Sequence, residues 1–167
     1  AADDDSRSSS AEGALQLRLS RRLSLAAELE YEKLSDNLQY VTTAESAAGP
    51  RWLLARIDQD TWNFTLRVNL TLTPDLTVQL YGSPFIGTGR YTDFKRATDA
   101  LARRYADRFH AFAADEIAYR AEDNAYAVSE ASASSYSFAN PDFSFRQFRS
   151  NLVLRWEYRP GSSLYVV

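Results

Sequence analysis

The chain has 167 residues and a formal net charge of −3, with a pI near 5.2. That is enough chain for one globular domain, and its acidic balance excludes the basic surface of a dedicated nucleic-acid binder. The absence of cysteine removes disulfides, thiol catalysis and cysteine-based metal sites together, and no apolar run approaches the ~20 residues of a membrane-spanning helix.

Residues 1–13 open small, acidic and Ser-rich, and are expected as a disordered or loop end. Leu15, Leu17 and Leu19 then alternate with Gln16, Arg18 and Ser20, and Arg21-Arg22 makes a tight turn. Leu23, Leu25, Ala27, Leu29 and Tyr31 continue the apolar face, opposed by Ser24, Ala26, Glu28, Glu30 and Glu32. The strand is expected to run on through Leu38–Val41, and Thr42 to Pro50 reads as a loop.

The region Trp52 to Leu72 contains the clearest signal. Trp62, Phe64, Leu66, Val68, Leu70 and Leu72 fall on one face of a strand, and Asn63, Thr65, Arg67, Asn69 and Thr71 on the other. Thr73-Pro74-Asp75 is a short turn. Leu76, Val78 and Leu80 return on the apolar face against Thr77, Gln79 and Tyr81, and Gly82-Ser83-Pro84 ends the regular pattern. A long connection of about Gly87 to Asp142 follows. Within it Phe94, Ala97, Leu101, Tyr105, Phe109 and Phe112 recur at helical spacing, with Asp93 placed as a cap, and predict a helix over Asp93 to Ala113. Ala121 to Ser137 reads as loop. Phe148, Leu152, Leu154, Trp156 and Tyr158 then oppose Arg149, Asn151, Arg155 and Glu157; Arg159-Pro160-Gly161-Ser162 turns, and Leu164 and Val166 open a further strand.

A strand with one apolar and one polar face fits two surroundings. In a soluble sheet the apolar face meets a core; in a transmembrane barrel it meets lipid, and the polar face lines the lumen. The connections after Ser20, Leu72 and Tyr158 are tight, whereas those after Val41 and Ile86 are long. Such asymmetry is the layout of outer-membrane barrels, whose turns and loops lie at opposite ends. Aromatic residues near both ends of the strands, Tyr40 and Trp62 at one and Trp156 and Tyr158 at the other, suit two interfacial girdles. The expected fold class is therefore all-β: an antiparallel outer-membrane β-barrel segment with one helix in a long loop. Its domain is residues 14–167, with the long loop and helix at 87–142. Five full strands and the start of a sixth fall short of the about eight that a single-chain barrel needs. The remaining strands are expected elsewhere in a longer parent chain, and the absence of an initiator Met or signal pattern suits a processed chain or an excised piece. The alternative is a soluble β-sandwich or half-barrel ligand-binding module.

The lumen-facing candidates are Arg67, Asn69, Gln79, Tyr81, Arg149, Asn151, Arg155 and Glu157. They could line a pore or hold a ligand; the plainer reading is that they satisfy one another and lumen water, Arg155 and Glu157 as an ion pair. The lipid-facing and girdle candidates are Trp62, Phe64, Leu66, Leu70, Leu154, Trp156 and Tyr158. Glu28, Glu30 and Glu32 have spacing reminiscent of paired glycosidase acids, but a row of Glu on one strand face reads as a solvated face. His110, the sole histidine, has no motif partner for a metal. Ser83 and Ser150 lie in no nucleophile elbow, and Gly87-Thr88-Gly89 is no phosphate loop. No catalytic residue, cofactor or metal is expected. The basic side chains around the expected helix, Lys95, Arg96, Arg103, Arg104 and Arg108, could meet lipopolysaccharide phosphates or plug the lumen; packing of Phe94, Leu101 and Tyr105 onto the barrel mouth is the plainer role.

Two blocks carry a family likeness. One is Leu76-Thr77-Val78-Gln79-Leu80-Tyr81-Gly82-Ser83-Pro84-Phe85-Ile86 with Gly89-Arg90-Tyr91-Thr92-Asp93-Phe94. The other is Asn140-Pro141-Asp142-Phe143-Ser144-Phe145-Arg146 with the run from Asn151 to Ser162. Together they resemble the C-terminal barrel region of an uncharacterised bacterial outer-membrane protein family, a domain of unknown function. In that family a carbohydrate-binding module of the family-nine type usually precedes the barrel. The resemblance, from about Leu15 onward, implies a Gram-negative outer-membrane location and a porin-like pore or surface carbohydrate/glycoconjugate uptake role. The implied partners are outer-membrane lipid and lipopolysaccharide, the remaining barrel strands of the parent chain, and carbohydrate.

Overall fold

The structure is a computed structural model that describes residues 6–130 and 135–167. It is all-β and antiparallel, with strands β1 (Arg7–Arg18), β2 (Leu23–Ser46), β3 (Gly49–Thr73), β4 (Leu76–Ala97), β5 (Phe109–Ala111), β6 (Ile117–Arg120), β7 (Ala125–Val128), β8 (Tyr136–Ala139), β9 (Phe143–Arg159) and β10 (Ser162–Val166). One sheet has the order β1-β2-β3-β4-β9-β10, with β5 also paired to β4; a second has the order β6-β7-β8. The first path has two free ends, β1 and β10, so the sheet is not closed into a barrel.

The chain forms two compact units. Among the described residues, the first comprises 6–8, Leu34–Gln59, 89–130 and 135–143, the second Ser9–Lys33, Asp60–Thr88 and Ser144–Val167.

The second unit contains three tight turns that lie where the sequence places them. Between β1 and β2 the Ser20 hydroxyl accepts hydrogen bonds from the amides of Arg22 (3.1 Å) and Leu23 (3.0 Å). Pro74-Asp75 joins β3 to β4, and the Asp75 carbonyl accepts from the Glu157 amide at 2.8 Å. Pro160-Gly161 joins β9 to β10, with Gly161 at φ 78°, a left-handed conformation that glycine adopts without a Cβ clash.

The first unit has the hydrophobic core. Ala44, Leu53, Ala55, Phe94, Val128, Tyr136 and Phe138 are buried together, with Val41, Tyr91, Phe112, Ile117 and Tyr126 against them. The rings of Tyr126 and Phe138 stack at 5.4 Å, and Phe94 tilts against Tyr126 at 4.6 Å. Burying aromatic side chains of this size supplies a large apolar area per residue and explains why these short strands hold together.

Several expectations are corrected here. No helix spans Asp93 to Ala113: β4 continues to Ala97, a single 3₁₀ turn covers Tyr105–Arg108, and β5 pairs back on β4. The spacing of Phe94 and Phe112 mimicked a helix, but the two meet across a hairpin, where the Phe112 amide donates to the Phe94 carbonyl at 3.1 Å. Asp93 adopts φ 52°, whereas an N-cap residue takes extended backbone. Burial in β4 falls on Ser83, Gly87 and Gly89 before Asp93 and on Phe94 after it, so the side-chain alternation slips there, as it does at a β-bulge. The pattern does not end at Gly82-Ser83-Pro84, which lie inside β4. Thr42 to Pro50 is no loop: β2 runs to Ser46 and β3 starts at Gly49, whose φ of 99° completes the turn. Within the stretch read as loop from Ala121 to Ser137, β7 pairs with β6 and β8, because Tyr126 and Tyr136 gain burial there; residues 131–134 lie outside the described residues. Of the expected loose end at 1–13, residues 1–5 also lie outside them, and β1 begins at Arg7.

Candidate functional site

The second unit is a sheet with two chemically different faces. Trp62, Phe64, Leu66 and Leu70 of β3 and Leu154, Trp156 and Tyr158 of β9 fall on the apolar one by strand alternation. Among them Trp62 is 44% exposed, Trp156 48% and Tyr158 53%. Leu66, Leu70 and Leu154 are half-buried by their neighbours in the sheet. Leu15, Leu152, Phe148 and Leu164 are exposed as well. Among the described residues, every buried apolar side chain belongs to the first unit. The apolar face of the second therefore has no core of its own. Aromatic pairing does occur on it: Tyr31 packs 4.4 Å from Trp62 while its hydroxyl donates to Asp60, and Trp156 meets Tyr158 edge-on at 6.1 Å. The Phe148 ring lies 3.7 Å from where a Gly82 Cβ would stand, covering the glycine of the neighbouring strand.

The polar face is a ladder of interactions between strands. Arg67 pairs with Glu28 at 3.7 Å and lies 5.8 Å from the centre of the Tyr81 ring. Asn69 donates to the Ser24 hydroxyl, and Asn63 donates to Glu30, each at 3.5 Å. Arg155 and Glu157 form the ion pair that their spacing suggests, at 3.2 Å, and Glu157 also accepts from the Gly161 amide at 3.0 Å. The Glu28, Glu30 and Glu32 row thus has two of its members tied to β3 partners. Asn151 on β9 and Gln79 on β4 are both exposed on this face.

Around Tyr81 and Arg149 the same face opens into a cleft of about 350 Å³ lined by Asn63, Tyr81, Ser83, Phe85, Gln147 and Arg149. The Ser83 hydroxyl donates to the Asn63 side-chain oxygen at 3.5 Å, and Phe85 meets Phe145 edge-on at 6.0 Å. Of the lining residues only Tyr81 and Arg149 were among the lumen-facing candidates; Asn63, Ser83, Phe85 and Gln147 were not. Gln147 continues the odd-numbered alternation of Arg149 and Asn151, a signal hidden by starting the strand at Phe148.

In the first unit a buried polar cluster also escaped the sequence reading. Glu130 accepts from Arg96 (Nε at 3.0 and 3.1 Å, with the ion pair at 2.8 Å) and from the Tyr136 hydroxyl at 2.7 Å. Burial alone pushes the Glu130 carboxyl up, but Tyr136, Arg96 and nearby Arg51 outweigh it and hold it below the usual range. Burial and then Glu130 push the Tyr136 phenol well above its ordinary value. Arg96 was expected on a helix surface; burial on β4 converts it to a structural ion pair. His110 lies on β5 and contacts Glu116 at 2.9 Å, and Glu116 is held low by the Ala113 amide and by His110. Among the described residues no three His, Cys, Asp or Glu side chains converge as metal ligands.

No family model, curated protein or solved structure matches the chain.

Proposed function

We propose that the chain is a segment of an outer-membrane β-barrel, with the strands of the second unit crossing lipid. Its apolar face meets acyl chains and its polar face lines a water-filled lumen. The segment serves passage of solute, with no catalytic role. The observation that carries this reading is the exposure of Trp62, Trp156, Leu152 and Phe148 on a sheet face that has no packed core. A soluble sheet of this size buries such a face, because exposed apolar patches of this kind mark interaction surfaces. Two further features support it: tight turns at Ser20, Pro74 and Pro160, and free sheet ends at β1 and β10, where further barrel strands would pair. Carbohydrate or glycoconjugate as the solute rests on the family likeness alone.

The test is fractionation of the intact protein followed by gel mobility with and without boiling. Recovery in the outer membrane with a boiling-dependent shift is expected of a closed barrel. Recovery as a soluble protein without a shift would return the apolar face to a core and favour the sandwich module.

A further inference from the structure

We propose that the cleft formed by Asn63, Tyr81, Ser83, Phe85, Gln147 and Arg149 binds a small organic carboxylate with an apolar body. The proposal rests on the barrel reading only for the cleft's access from the lumen. Its chemistry comes from the charge inventory of the polar face. Arg67 is committed to Glu28 and Tyr81, and Arg155 to Glu157. Arg149 is different: among the described residues no carboxylate lies within 4.0 Å of its guanidinium. A guanidinium offers a rigid fork of donors matched to a carboxylate, and among the described residues it is the only charged group that lines the cleft.

The other lining groups fix the rest of the ligand. Gln147 offers an amide beside the fork. Ser83 and Asn63 are already bonded to each other at 3.5 Å, and the Asn63 amide reaches Glu30, also at 3.5 Å. That arrangement directs the Asn63 side away from a second anionic group on the ligand. Phe85, backed by Phe145, presents an apolar wall. A volume of about 350 Å³ lies at the small end of ligand sites. One anionic anchor, one apolar wall and little room describe a monocarboxylate with a ring or short chain rather than a dianion or an oligomer.

Titration calorimetry of the intact protein in detergent, with benzoate as the probe and benzamide as its neutral isostere, tests this. Benzoate is expected to bind and benzamide not, and R149Q is expected to weaken benzoate by about tenfold or more, the range of a charge-assisted bidentate contact. R149K keeps the charge without the fork and is expected to fall between R149Q and wild type. Benzamide binding as tightly as benzoate, no benzoate binding, or R149Q and R149K both titrating like wild type would each overturn the proposal. The boiling-dependent gel shift separates the two readings: a protein that shifts but ignores benzoate loses the cleft and keeps the barrel, and one that does not shift loses the barrel.

Discussion

At the scale of single residues, two environments make opposite demands. On the apolar face of the second unit, Leu66 sits in the middle of the alternating run on β3. Under the proposed account, L66R places a guanidinium near the bilayer midplane and costs about 2–4 kcal/mol of folding free energy in vesicles, while T65R on the lumen face costs far less. Denaturant titration of the vesicle-inserted protein measures both. In the first unit, Glu130 is almost fully covered and holds two partners. E130Q leaves the Arg96 charge buried without its carboxylate and is expected to cost about 3–5 kcal/mol, whereas Y136F removes one hydrogen bond and costs about 1–2 kcal/mol. The pH dependence follows from the same cluster. Because the folded Glu130 carboxyl is depressed, its stabilisation is complete above the ordinary carboxylate value of about 4.3 and is lost as pH falls through the lower folded value. Tyr136 is raised, so its contribution is present below about 10 and lost as the solution becomes more alkaline than that. Unfolding followed by fluorescence across pH should show stability declining at both extremes, with the acid limb reduced in E130Q.

At the scale of elements, period-two alternation was legible wherever a strand has one apolar and one polar face. Trp62 to Leu72 carries its own face assignment because every second residue has the same chemistry. The turns at Ser20, Pro74 and Gly161 were legible because their residues satisfy particular backbone demands. Phe94 to Phe112 was not, since aromatic residues from two paired strands happened to recur at three- and four-residue intervals. What organises them is a core shared with Tyr126 and Phe138, which lie far along the chain. Arg96 and Glu130 were invisible for the same reason, being 34 residues apart. Between β4 and β9, glycine and ring fit each other: a Cβ at Gly89 would overlap the Phe143 ring. G89A is expected to cost about 1–3 kcal/mol as an overpacked contact. In an F143A background most of that cost should vanish, and a double-mutant cycle on thermal unfolding reads the difference.

At the scale of the whole molecule, composition excluded helical insertion and cysteine chemistry but could not choose between lipid and a core as the cover for the apolar face. That choice depends on what lies against the sheet, which no single strand encodes. The exposed aromatics of the second unit and the separate core of the first favour lipid. The absence of cysteine makes the claim directly measurable, because a single cysteine can be introduced at each position from Trp62 to Leu72 and spin-labelled in turn. Collision rates of each label with oxygen, which concentrates in lipid, and with a water-soluble nickel complex would then be compared in vesicles. The account predicts a period of two: oxygen dominates at Trp62, Phe64, Leu66, Val68, Leu70 and Leu72, and nickel at the residues between. Labels at the even positions shielded from both agents would contradict it, and would show a packed protein core where the account requires lipid.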